Sequence, residues 1–327
     1  MSSIPYSRYL IYPITWYSFL IVTGVVLALI LSCREEKRKK LPKDTVIDLA
    51  LFLLPMGIIG ARIYYVIFSW SQFSSDPLSV FRVWEGGLAI YGGVIGGFLA
   101  ILLFSRRRRL PFLLLCDLIA PGLVLAQAIG RWGNWFNIEA YGLSVTDPSL
   151  CFFPFAVQVP SDGYTWHLAT FFFESVWNLG VFLFLICFRR RKSCRTGDVF
   201  CFYLVLYAAG RLVIEELRTD SLYASSSIRV SQLLSVLLCL AILVRYAAVL
   251  RRAGVYSCRR LLLLMPSVAA VLFALFYALC GGRFAAWPVT TVILSLSLCS
   301  LVMIVTLFLL HHESQSVSEV SNADNQA

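Results

Sequence analysis

Apolar residues run along the chain in long blocks, and polar residues are confined to the gaps between them. Nine blocks read as membrane spans, at roughly 14–32, 46–68, 86–105, 110–129, 168–188, 198–214, 230–250, 261–280 and 289–310. A run of 18 or more apolar residues marks a transmembrane helix, and twenty residues rising about 1.5 Å each cross a hydrocarbon core of about 30 Å. The pattern therefore predicts an all-α fold, a polytopic bundle of transmembrane helices. The block at 86–105 is rich in glycine, and only four arginines part it from the next.

Composition agrees. The 327 residues are 59% hydrophobic and 14% charged, where a soluble domain carries about 25% charged residues. The net charge of +10 raises the question of nucleic acid, and its placement answers it. Segments 33–43, 106–109, 189–195 and 245–260 hold 20 of the 28 Lys and Arg residues, and they alternate with loops nearly free of them. That is the positive-inside pattern of cytoplasmic loops. It excludes nucleic-acid binding and leaves anionic-lipid contact as a secondary role. The N-terminus then faces outward with loops 69–85, 130–167, 215–229 and 281–288, and the C-terminus is cytoplasmic. The first span is not read as a cleaved signal peptide, because its basic residues mostly follow the apolar stretch. The ten cysteines show no CxxC or Cys/His spacing, which supports neither a disulfide framework nor a metal site. Residues 311–327 read as a disordered polar tail.

Eight basic residues fall off the cytoplasmic side: Arg8, Arg62, Arg82, Arg131, Arg211, Arg218, Arg229 and Arg283. Every one is arginine. Arg62, Arg131 and Arg211 sit in or at the ends of apolar blocks, where a charge at the bilayer centre costs at least about 2.5 kcal/mol and needs a partner or a cavity. Arginine suits bidentate contact with phosphate or carboxylate. In GRLVIEELRTD (210–220), Arg211, Glu215 and Arg218 share one helix face. The spacing fits a self-neutralising salt-bridge stripe. It equally fits an anion site, since one glutamate between two arginines leaves positive charge over. In GRWGNWFNIEAYG (130–142), Asn134 and Asn137 share a flank of an ideal helix while Glu139 points elsewhere. Gly130, Gly133 and Gly142 permit irregular backbone and close approach. The segment reads as polar and partly broken, either a packing node or the lining of a watery cavity. In WEGGLAIYGGVIGG (84–97), the pairs Gly92/Gly96 and Gly93/Gly97 let helices approach closely. Tyr91 beside them is a cavity hydrogen-bonding group or an interface anchor.

Together these stretches resemble the prolipoprotein diacylglyceryl transferase family of bacterial inner-membrane enzymes. GRWGNWFNIEAYG matches every fixed position of that family's signature, G-R-x-G-N-x-x-N-x-E-x-x-G. GARIYYVIF (60–68), WEGGLAIYGG (84–93), Asp117 with Pro121, and GRLVIEELRTDS (210–221) follow in the family's order, over roughly 12–245. The resemblance implies transfer of the diacylglyceryl group of phosphatidylglycerol to the lipobox cysteine of a prolipoprotein signal peptide. Glycerol 1-phosphate leaves, and no metal or organic cofactor takes part. It implies catalytic roles for Arg131, Arg211, Tyr91 and Glu139. Tyr17, Arg62, Asn134, Asn137, Gly142, Glu215 and Arg218 are the expected substrate-binding positions. Tyr91 matches a position held by histidine or tyrosine in the family.

Two departures stand out. Where family members carry H-P-T/S-x-L-Y-E, this chain has HLATFFFES, so His167 is displaced by one and Phe173 replaces the tyrosine, while Glu174 remains. Second, most members stop after seven spans. The expected organisation is a transferase-like membrane domain over 1–250, two additional transmembrane helices over 251–310, and the tail. Two other readings compete: a transporter for an anionic solute, and a diverged member acting on another lipid or acceptor.

Overall fold

The computed structural model describes residues 5, 7–192, 194–222, 229–252, 258–280 and 288–324. Arg283 and the last three residues of the tail lie outside them. A helix forms at each of the nine apolar blocks: α1 (Trp16–Arg38), α2 (Thr45–Phe68), α3 (Ile90–Arg108), α4 (Phe112–Asn137), α5 (Thr170–Phe188), α6 (Asp198–Leu217), α7 (Val230–Arg252), α8 (Cys258–Cys280) and α9 (Val289–Asp324). Among the described residues, seven are long and apolar enough to cross a membrane: α1 to α5, α7 and α9. α6 is set apart by Asp198, Arg211, Glu215 and Glu216 within its 20 residues, and α8 shows an apolar stretch over Met265–Leu279 among the described residues.

Local chemistry moves several helix ends away from the apolar boundaries. α1 runs on through the charged CREEKR, where Arg38 pairs with Glu35 one turn back and Glu36 Oε2 accepts the Val46 N–H at 2.6 Å. α3 begins at Ile90, later than its apolar block, because Gly86 and Gly87 take positive φ (95° and 67°). α4 continues through the signature to Asn137. Two small hairpins add to the helical fold: β1 (Tyr9–Ile11) with β2 (Ile14–Thr15), and β3 (Ala156–Val159) with β4 (Thr165–Leu168). In the second, Ala156 lies opposite Leu168 and Val159 opposite Thr165.

By internal packing the chain divides into two compact units, residues 25–123 and residues 1–24 with 124–327. In the first, α2 and α3 meet along glycines. A Cβ on Gly92 would stand 2.3 Å from Gly60 O, and one on Gly96 would stand 2.3 Å from Met56 O. Gly97 of the overlapping pair faces open space. In the second unit, α6 packs against α5, α7 and α9. Trp177 of α5 lies against Gly210 and donates its indole N–H to Leu206 O at 2.9 Å.

The two glycine registers predict opposite outcomes. Gly92→Ala forces backbone apart and costs about 1–3 kcal/mol, as overpacking does. Gly97→Ala remains within about 1 kcal/mol of the parent and is favoured by helix propensity. Thermal unfolding in detergent checks both.

Candidate functional site: a buried arginine–carboxylate cluster

Three arginines converge on one buried glutamate. Glu174, on the first turns of α5, is 2% exposed. Arg211 of α6 donates to its Oε2 at 3.1 Å and also pairs with Glu215, one turn further along α6. Arg218, the C-cap residue of α6, reaches the same Oε2 at 3.9 Å and forms a two-pronged pair with Asp220 at 2.7 and 2.9 Å. Arg131 of α4 lies 2.6 Å from Glu174 Oε1, off the hydrogen-bonding angle, so the contact is one of charge. Tyr207, one turn before Arg211, lies within electrostatic reach of Arg131 and Glu174. Ser231 Oγ of α7 accepts from Arg211 at 3.3 Å.

This arrangement corrects the expectation of surplus positive charge. Three guanidiniums face three carboxylates, Glu174, Glu215 and Asp220. Glu174 was the missing member. Its signal was present, a lone acid in the apolar TFFFESVWNL, but nothing in one helix reveals which arginines from α4 and α6 it meets. Tyr207 was missed for a similar reason: its place is read only from α6 laid beside α4.

The signature ends a helix. α4 holds to Asn137, and the chain then reverses at Ile138 (φ 55°) and Ala140 (φ 56°). The reversal swings Glu139 back, so its Oε1 accepts from Asn134 Nδ2 at 3.0 Å and Asn137 Nδ2 at 3.1 Å. Glu139 therefore joins the two asparagines, contrary to the ideal-helix reading, and the irregular backbone falls on Ile138 and Ala140 rather than on the glycines. Gly133 serves close approach, since a Cβ there would meet Tyr17 Cδ2 at 2.5 Å. Tyr17 thus sits on the signature, near both Glu139 and Arg131. Arg8 joins too, donating Nε to Asn137 Oδ1 at 3.1 Å.

The returning loop pins this end. Gly142 bridges Arg218, and a Cβ on it would stand 2.6 Å from Leu217 O. His167 on β4 is buried, with Nδ1 2.9 Å from Gly142 O and Nε2 2.8 Å from Asp162. Both ring nitrogens are therefore engaged in loop structure. Gly142 likewise holds the backbone that carries Arg218. On another face of α5 lies an apolar crevice of about 510 Å³, lined by Phe155, Phe172, Phe173, Val176, Trp177 and Phe184 among others.

Arg62 and Tyr91 belong to the 25–123 unit. Arg62 is 7% exposed and gives its donors to the carbonyls of Ser79, Val80, Arg82, Gly86 and Gly87 at 2.7–3.3 Å. It closes the loop between α2 and α3, and its expected substrate contact gains no free donor from this geometry. Tyr91, on the first turn of α3, packs beside Tyr64 with ring centroids 6.4 Å apart.

Comparison with known proteins follows the same outline. The family profile of prolipoprotein diacylglyceryl transferase matches residues 7–248. The chain belongs to the prolipoprotein diacylglyceryl transferase family. Phosphatidylglycerol–prolipoprotein diacylglyceryl transferase of Streptococcus agalactiae (serotype Ia) is 44% identical over 230 residues, 69% of this chain and 88% of the relative. The proteins of that name from Enterococcus faecalis and Streptococcus suis are 45% and 47% identical over 236 and 225 residues. These cover 71% and 68% of this chain, and 85% and 83% of the relatives. The family match includes α1 to α6 and most of α7, while α8 and α9 lie beyond it.

Within the family site, charge balance makes two predictions. Glu174→Ala leaves buried guanidiniums uncompensated and destabilises by about 3–5 kcal/mol, whereas Glu174→Gln keeps the shape and loses less. Thermal unfolding in detergent ranks the two. The Asp220 carboxyl is opposed by burial but held below its ordinary range by the hydrogen bond and charge of Arg218. Its contribution is complete above the unfolded carboxylate value, about 3.9, and is lost as pH falls through the depressed folded value. Acid melting curves should therefore fall less steeply for Asp220→Asn than for the parent.

Proposed function

We propose that this protein transfers the diacylglyceryl group of phosphatidylglycerol to the lipobox cysteine of prolipoproteins. The observation that carries this reading is the convergence of Arg131, Arg211 and Arg218 on Glu174 in a chain of this family. The site lies toward the outer leaflet of the bacterial cytoplasmic membrane, with the N-terminus outside and the C-terminus inside. Support for that orientation is the distribution of lysine and arginine among the loops.

The substrate lipid is an anion, and its leaving group is a phosphate ester. The cysteine sulfur attacks the diacylglyceryl carbon next to the phosphate, a C–S bond forms, and the C–O bond to phosphate breaks. The electron pair departs on the phosphate oxygen as glycerol 1-phosphate, and the thiol proton leaves to a base or to the departing group. Arginines aimed at that oxygen stabilise the charge as it develops. A guanidinium close to the sulfur also favours the thiolate of a cysteine whose ordinary pKa is about 8.5, even where the cluster as a whole is balanced.

The cluster divides this work unequally. Arg131 is the most accessible guanidinium, its side chain 20% exposed against 12% for Arg211 and Arg218. A phosphate oxygen can engage Arg131 without breaking the pairs that fix Arg211 to Glu174 and Glu215. Glu139 orients Asn134 and Asn137, whose amides then face the head group beside Tyr17. Tyr91 is assigned, by the resemblance alone, as base or hydrogen-bond donor to the phosphate or ester. The apolar crevice on α5 is suited to an acyl chain.

The test uses purified protein in phosphatidylglycerol-containing micelles with a one-cysteine lipobox peptide. Mass spectrometry should show a diacylglyceryl gain matched by glycerol phosphate release. Arg131→Lys and Arg211→Lys keep the charge and lose the planar fork, so each should slow transfer at least about tenfold in protein that stays folded. Normal transfer by both variants would remove the arginine assignment, and no transfer by the parent would remove the reaction.

A further inference from the structure

The two helices beyond the family match are joined to the site by a continuous seam. α9 lies antiparallel to α6, and the contacts advance in step along both. His311 Nδ1 lies 3.4 Å from the Asp198 carboxylate at the start of α6. Phe308 packs on Phe202 with centroids 4.9 Å apart. Ser300 Oγ donates to Ala209 O at 3.2 Å, and the cluster of Leu296, Val292 and Tyr277 of α8 meets Val213. From Asp198 to Val213 α6 advances 15 positions, and from His311 to Leu296 α9 goes back 15. The α9 side of the seam is buried at Leu296, Ser300, Met303 and Leu307, all 6% exposed or less, at the four- and three-residue spacings of helix-on-helix packing. The opposite side is open, with Leu294 70% and Leu301 57% exposed.

The contacts bracket Arg211. Ser300 binds the backbone two residues before it, and the residue two after it, Val213, packs on the buried cluster that Leu296 forms with Val292 and Tyr277. α7 holds the same stretch from elsewhere, through Ser231 on Arg211 and Gln232 Nε2 on Leu212 O at 3.3 Å. A surface appended only for bulk needs no buried hydroxyl directed at one carbonyl of one helix. An unmade bond there strands a buried donor, which costs more than the made bond gains.

We infer that α9 is a positioning element of the transferase site, fixing through Ser300 and Leu296 the segment of α6 that presents Arg211. The inference rests on the reading of Arg211 given above. α9 touches neither substrate nor reacting atoms in this role; it sets where the Arg211 guanidinium stands relative to Glu174. The consequence is kinetic. Displacing the arginine by a fraction of an ångström weakens what it does in the transition state more than it weakens lipid binding.

The experiment measures transfer by the full chain in phosphatidylglycerol micelles, with rates normalised to folded protein by size-exclusion recovery and thermal unfolding. Ser300→Ala should lower kcat about tenfold with KM for phosphatidylglycerol little changed, and Ser300→Thr, which keeps the hydroxyl, should restore it. Leu294→Ala, on the open side, should match the parent. A merely structural role would reduce the amount of folded enzyme and leave kcat per folded molecule unchanged. If Ser300→Ala does not accumulate as folded protein, Leu296→Val loosens the same seam more gently and must show the same kcat-selective loss. A parent-like kcat in the variant that folds, or no rescue by threonine, overturns the inference. The parent and Arg211→Lys run alongside. Failure of the parent to transfer, or full activity of Arg211→Lys, would sink the reaction or the arginine assignment and take this inference with it. If those two behave as expected and the α9 variants do not, the positioning role alone is wrong.

Discussion

A guanidinium in an apolar bundle has to be paired, and an acid there has to be paired as well. Much of the Arg131 neighbourhood follows from satisfying both demands at Glu174. One carboxylate supplies two oxygens, so arginines from two other helices can share it only if α4, α5 and α6 come together at one level. Small residues make that possible. Trp177 lies against Gly210, and Tyr17 lies against Gly133. The cluster is thus a constraint on helix packing before it is a site of chemistry.

The chain between α4 and α5 answers a second demand. It must close the end of the cluster without leaving buried backbone groups unpaired. It does so by folding back on itself. Thr170 Oγ1 donates to Ala140 O at 2.6 Å, Gly142 N–H donates to Leu168 O at 2.8 Å, and His167 spans Gly142 and Asp162. His167, which stands one position off the family's pattern, is engaged in this closure.

The helices were legible because a 20-residue apolar block has few other ways to satisfy its backbone in a membrane. Arg131, Asn134, Glu139 and Arg211 were legible because polar side chains in such blocks are expensive and therefore conspicuous. What was not legible is how they combine. The i, i+4 spacing of Arg211 and Glu215 shows in the sequence, but the meeting of Arg211 with Glu174 spans 37 positions and depends on how α5 and α6 pack. Glu139 was misplaced because ideal helix geometry was extended two residues past Asn137, across Ile138, whose positive φ its residue type does not announce. The charge surplus at Arg211 was an artefact of counting along one helix.

The seam between α6 and α9 also imposes an order on synthesis. Ser300 and its acceptor Ala209 are separated by 91 positions. At bacterial elongation rates of up to about 20 residues per second, roughly 5 seconds or more pass between the emergence of the two. During that interval α6, with its arginine and two glutamates, is already made but lacks one of its neighbours. α6 gains this neighbour only after α9 has left the ribosome, so a chain interrupted within α9 would carry every signature residue of the family and still lack one wall of the helix that holds Arg211.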